Sequence, residues 1–172
     1  IYIVEPEYWA LPDASARQWD ATAEALADLR QALGALGAPL VLRVGDAVEV
    51  LSRMAREHRV TRMVSHEETG NLWTYARAAP GLPAPAALQR VPGVEPGAIP
   101  TARALRLAPD RCPHRQAGGR VQGLALLDSF LAARGQTYRR AMSSPVTGER
   151  ACSRLSPHLA LGTLSVREVA QA

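Results

Sequence analysis

Prolines at positions 80, 83, 85, 92, 96, 100, 109 and 113 crowd one stretch of the chain, from Ala78 to about Pro113. Proline fixes φ near −65° and donates no amide hydrogen, so this density keeps the backbone extended and excludes helix and sheet interiors. The stretch divides the chain into an N-terminal part, residues 1–77, a linker, residues 78–115, and a C-terminal part, residues 116–172. Forty-seven per cent hydrophobic and 21% charged residues form an ordinary globular composition, so each flanking part has apolar surface to bury.

The N-terminal part alternates strand and helix signals. Ile1-Tyr2-Ile3-Val4 is a short apolar run that stops at Glu5-Pro6, as a buried strand leaving its sheet does. Asp13 or Ser15 caps a helix reaching about Gly37, with Trp19, Ala23, Leu26, Leu29 or Arg30, Leu33 and Leu36 on one face. Asp20, Glu24, Asp28 and Gln31 take the other side. Leu40–Val44 reads as a second strand, Gly45-Asp46 as turn and cap, and 46–58 as a helix with Val50, Leu51 and Met54 inward. Arg62–Ser65 reads as a third strand. Strand and helix in alternation imply a Rossmann-like parallel sheet, with ligands expected beyond the carboxyl ends of its strands, where Glu5 and His66-Glu67-Glu68 fall. His66-Glu67-Glu68 lacks a second histidine at metal-ligand spacing and reads as structural; no metal is expected.

The C-terminal part reads as helical. Ala117–Gly135 forms an amphipathic helix with Leu124, Leu127, Phe130 and Leu131 inward; Tyr138–Ser143 continues helically, and Pro145–Gly148 is a loop. There follows a run, Ala151-Cys152-Ser153-Arg154-Leu155-Ser156-Pro157, that leads into an apolar helix. The start of a helix offers unpaired backbone N–H groups to a phosphate. Ser153 and Ser156 add hydroxyls and Arg154 a fixed cation, which equips the segment to hold a pyrophosphate; the alternative for Ser153 is a plain helix N-cap. Tyr138 lies one loop earlier, either leaning on such a ligand or filling a core. His114 reads as linker and His158 as helix face.

The net charge is +4, carried by arginine in a chain without lysine. Arginine pairs with phosphate in a planar, bidentate way, which suits a nucleic-acid surface, although base composition favouring Arg, Ala and Gly codons is the better account of the missing lysine. Cys112 and Cys152 stand alone, without CxxC spacing, and suit a reducing, cytoplasmic setting. No run approaches the roughly 18 apolar residues of a membrane span, and no protein partner is implied.

Several of these segments, taken in order, resemble the DNA photolyase and cryptochrome family. Ile3–Trp9 resembles the end of an early strand of the antenna domain in bacterial members, and His66–Arg77 a later strand-to-helix turn. Leu127-x-x-Phe130-Leu131, Tyr138-Arg139, Ser153-Arg154-Leu155-Ser156 and Leu159-x-Leu161-Gly162-x-Leu164-Ser165-x-Arg167 resemble the start of the flavin domain. The resemblance implies an α/β antenna domain over 1–77, the linker, and the beginning of an all-helical FAD-binding domain over 116–172.

It implies FAD held by Tyr138, Cys152, Ser153, Arg154, Leu155 and Ser156, an antenna chromophore of folate or deazaflavin type, and light-driven repair of pyrimidine dimers in DNA. Cys152 stands where many members have a cofactor-touching threonine, and Met142 where repairing members have a DNA-contacting arginine; Arg139, Arg140 or Arg150 would substitute. Set against the family pattern, the chain reads as truncated at both ends, with a deletion near Arg77 and Ala78. The helices carrying adenine contacts, the lesion site and the tryptophan chain have no counterpart here; Trp9, Trp19 and Trp73 belong to the α/β part. Two other functions fit: a blue-light photoreceptor without repair, and a non-catalytic fragment. A clasp that covers only the phosphate side of FAD is expected to bind it poorly, since pockets usually enclose about 70–90% of a ligand.

Overall fold

Trp19, wholly buried, is the centre around which the N-terminal unit forms. The structure is a computed structural model that describes residues 1–63 and 92–172. Strand β1, Tyr2–Val4, leads through a short helix α1, Pro6–Trp9, to the long α2, Ala16–Ala35. Ser15 starts α2 with a capping box: its hydroxyl accepts from the Gln18 amide, and the Gln18 side chain accepts from the Ser15 amide. Strand β2, Leu42–Val44, pairs in parallel with β1, Tyr2 opposite Leu42 and Val4 opposite Val44. Helix α3, Ala47–Glu57, begins where Asp46 accepts from the Glu49 amide at 2.9 Å. Glu5, at the carboxyl end of β1, accepts from the Ala47 amide at 3.2 Å and so serves the same helix start.

Val4, Trp9, Trp19, Leu26, Leu40 and Leu42 form the first core, with the Trp9 and Trp19 rings edge to face at 4.9 Å. Each fully buried side chain of this kind contributes about 1.5–3 kcal/mol. On α2, Leu29 is exposed, so the inward stripe passes through Arg30, which donates to the Gly97 carbonyl at 2.7 Å. Of the expected third strand, Arg62 and Met63 are not in a strand; Val64 and Ser65, like His66–Arg77, lie outside the described residues.

The described part of the proline-rich stretch, from residue 92, is laid along this core. Ile99, Ala102, Leu105 and Leu107 pack on it, and Val94 is buried. A prolyl segment is poor in N–H donors and rich in free carbonyls, so it binds to donors that have no other acceptor. The Leu42 amide at the open edge of β2 donates to the Pro96 carbonyl at 2.6 Å, the Trp19 indole to Pro100 at 2.9 Å, and Arg43 to Glu95 at 3.0 Å.

The C-terminal unit consists of α4, Arg120–Ala132; a 3₁₀ turn, Arg134–Thr137; α5, Tyr138–Ala141; α6, Pro145–Ala151; α7, Ser156–Ala160; and α8, Val166–Gln171. Its core is small: Leu127, Leu155 and Leu164, flanked by Leu124, Leu126, Leu159 and Val169. The expected inward Leu131 is instead 51% exposed. Pro145–Gly148, expected as a loop, opens helix α6, with Pro145 in the first turn where its missing N–H costs nothing.

Candidate functional site

Helix α4 has no capping side chain of its own; it starts after Gly118-Gly119, with Gly119 at φ 88°. The cap comes from α2, where the Asp28 carboxylate accepts from the Val121 amide at 3.3 Å. A Cβ on Gly118 would stand 2.0 Å from the Ala21 carbonyl oxygen, so only glycine permits this approach of α4 to α2. Glu24 accepts a bidentate pair of bonds from Arg115 and another from the Gly118 amide. Hydrogen bonding to Arg115 holds the Glu24 carboxyl below its ordinary value of 4.5. The polar side of α2 is therefore the surface on which the C-terminal unit sits.

The next residue, Gln116, reaches the segment singled out in the sequence, donating to the Arg154 carbonyl at 2.7 Å. Residues Cys152–Leu155 form the turn between α6 and α7. Arg154 adopts φ 61° and Leu155 is right-handed, at φ −84° and ψ −12°. A left-handed residue followed by a right-handed one turns successive N–H groups into one concavity, the arrangement called a nest, which accepts anions.

The turn is polarised. Its carbonyls are taken: Arg134 donates to those of Cys152 and Ser153, and Gln116 to that of Arg154. The amides of Ser153, Arg154, Leu155 and Ser156 donate to no acceptor among the described residues, and the Ser153 and Ser156 hydroxyls are likewise unpaired among them. Leu155 is buried in the second core and anchors the turn, while Ser156 is exposed. Ser153 is not a helix cap: Leu155 holds the cap position of α7, and no side chain caps it.

The Arg154 guanidinium lies 3.9 Å from the Glu149 carboxylate, and the residue lines an open groove of about 300 Å³ with His114, Gln116, Gln122 and Leu126. Tyr138 is half-buried edge to face with Phe130 at 5.9 Å, and no hydrogen bond joins it to the turn among the described residues. The structure thus brings Cys152 to Ser156 together, and connects Tyr138 to them through the 3₁₀ turn and α6. Arg139, Arg140 and Arg150 are all exposed, on α5 and α6.

His158, expected on a helix face, is buried under α7 against Gly123, its Nδ1 3.2 Å from the Thr163 hydroxyl. Its Nε2 is buried and makes no hydrogen bond among the described residues. Burial pushes its pKa below the ordinary 6.5, against a weaker pull from the Gly119 backbone. Among the described residues no helix is long and apolar enough to cross a membrane.

Residues 1–79 match the family model for DNA photolyase. Part of the match, residues 64–79, lies outside the described residues, and the turn at 152–156 lies beyond it. No curated protein matches the chain.

Proposed function

We propose that the chain takes part in FAD-dependent, light-driven repair of pyrimidine dimers in DNA. The family match over residues 1–79 carries this reading, and the polarised turn supports it independently. The residues present fit the diphosphate portion of FAD: consecutive open amides, two hydroxyls and a positive-φ Arg154 offer donors to an anion. For the ring system the same unit offers one aromatic pair, Phe130 and Tyr138. Bound FAD would supply light-driven electron transfer to the dimer; the protein's part is orientation and base extrusion.

In this reading Ser153 and Ser156 orient the diphosphate by hydroxyl donation, while Leu155 fixes the turn to the core. Cys152 contributes its amide and carbonyl to the shape of the turn, its thiol being a weaker donor than a hydroxyl. The exposed Arg139, Arg140 and Arg150 attract DNA phosphates. A second reading, a blue-light photoreceptor without repair, is favoured by Met142, an exposed apolar residue near these arginines.

The deciding experiment incubates the FAD-loaded chain with oligonucleotides that contain a thymine dimer, in blue light and in the dark. A dimer fraction that falls only in light, with tighter binding to damaged than to undamaged DNA, is the expected result. Retained flavin with no change in dimer content supports the photoreceptor. A folded chain that takes up no flavin overturns both.

A further inference from the structure

The side chain that shapes the turn is neither in it nor beside it in sequence. Arg134, in the 3₁₀ turn after α4, distributes its N–H groups over four acceptors. Nε donates to the Ser129 hydroxyl at 2.9 Å, Nη1 to the Cys152 carbonyl, and Nη2 to the Leu126 carbonyl at 2.7 Å and the Ser153 carbonyl at 3.4 Å. Two of these acceptors belong to α4 and two to the turn, so one planar group sets the distance and orientation between them.

Arg134 also differs from the other buttressing arginines. Arg115 pairs with Glu24 and Arg120 with Glu168, each neutralised by a carboxylate. Arg134 forms no ion pair among the described residues and is half-buried, so its charge faces three carbonyl oxygens and the Ser129 hydroxyl rather than a carboxylate. A cation that draws successive carbonyls to the rear rotates their peptide planes so that the following N–H groups, those of Ser153 and Arg154, point forward. Backbone polarised by a charge-assisted bond on its carbonyl side is also a stronger donor on its amide side.

We infer that Arg134 is a positioning residue of an anion clasp at residues 152–156, acting through the Cys152 and Ser153 carbonyls and lending the site its uncompensated positive charge. The ligand class is a diphosphate. This rests on the proposal above that the turn faces the diphosphate of FAD, but it assigns the work to a residue outside the segment that the family resemblance marks.

The test is a titration of the full chain with inorganic pyrophosphate and with riboflavin, followed by amide chemical shifts in the wild type, Arg134→Gln and Arg134→Lys. Pyrophosphate should move the amides of Ser153 to Ser156 in the wild type, with an affinity that falls as salt rises. Arg134→Gln should weaken that affinity roughly tenfold and flatten its salt dependence, as loss of a charged hydrogen-bonding hub does. Arg134→Lys keeps the charge and should recover most of the affinity, while riboflavin, which has no phosphate, should respond alike in all three. Circular dichroism establishes that each variant is folded; should Arg134→Gln unfold, the comparison of Arg134→Lys with the wild type across the salt series still decides, because a charge role predicts equal slopes. Pyrophosphate binding to the wild type that Arg134→Gln leaves unchanged, or that Arg134→Lys loses equally, overturns the role of Arg134 and spares the clasp. No response of Ser153–Ser156 in the wild type overturns both.

Discussion

The two units of this chain are held together by different physics. The N-terminal unit is built around two tryptophans and four aliphatic side chains, all buried, and even the prolyl stretch from residue 92 is drawn onto that core. The C-terminal unit buries three leucines and depends on polar ties: Arg134 to the turn, Gln116 to Arg154, and Glu24 and Asp28 of α2 to the start of α4. Apolar burial tolerates approximate geometry, whereas hydrogen bonds fix distance and direction. The unit whose turn at 152–156 carries unpaired amides among the described residues is the one in which polar contacts set the shape.

The largest break in this comparison is Trp19→Ala, which should cost about 3–5 kcal/mol in urea unfolding, in line with large-to-small core changes. The emission of the remaining Trp9 and Trp73 still reports it, because both precede the helical unit. Leu164→Ala in the smaller core should cost less, about 2–3 kcal/mol, at the lower end of such changes. Its effect should appear as faster amide exchange in α4 and α7 with tryptophan emission unchanged.

Gly118→Ala places a Cβ 2.0 Å from the Ala21 carbonyl oxygen and should cost about 1–3 kcal/mol, the ordinary range for overpacking. Here both units should respond, since the clash lies between them. A variant as stable as the wild type would refute the seating of α4 on α2.

Glu24→Gln should cost about 1 kcal/mol, modest because the carboxylate is more than a third exposed. Its pH dependence is more specific. The Glu24 pKa is lowered on folding, so its contribution is present above the unfolded value near 4.5 and lost as the pH falls below it. The variant should lack that part of the acid loss. His158, buried neutral, acts in a higher window: its protonation is disfavoured in the fold, so stability falls as the pH drops below 6.5, and His158→Phe should remove that step. Arg120→Ala, which removes an exposed pair with Glu168, should have the smallest effect, seen as fraying of α8.

The same contrast explains what could be read from the sequence. Strands β1 and β2, the Ser15 and Asp46 caps and the buried stripe of α2 follow from apolar period and cap chemistry, which are local. The polar side of α2 could not be read in this way: Glu24 and Asp28 look like solvated charge until α4 is in place. A signal was present, since Gly118-Gly119 before a helix without its own capping residue points to a close approach and a cap supplied from elsewhere. Pro145 permitted α6 and could equally have marked a loop. The turn at 152–156 was marked by its motif, but its polarity comes from Arg134 and Gln116, 18 and 38 residues distant from their acceptors Cys152 and Arg154, and no local pattern encodes contacts at that range.

The proposed clasp requires that the backbone of residues 153–156 bind the diphosphate of FAD. Titrating FAD into the isotopically labelled 172-residue chain and following the amide spectrum tests this directly. The predicted result is weak binding in which the amides of Ser153, Arg154, Leu155 and Ser156 shift first and those of β1, α2 and α3 stay in place. Shifts confined to the N-terminal unit, or saturable binding with residues 153–156 unmoved, would contradict it.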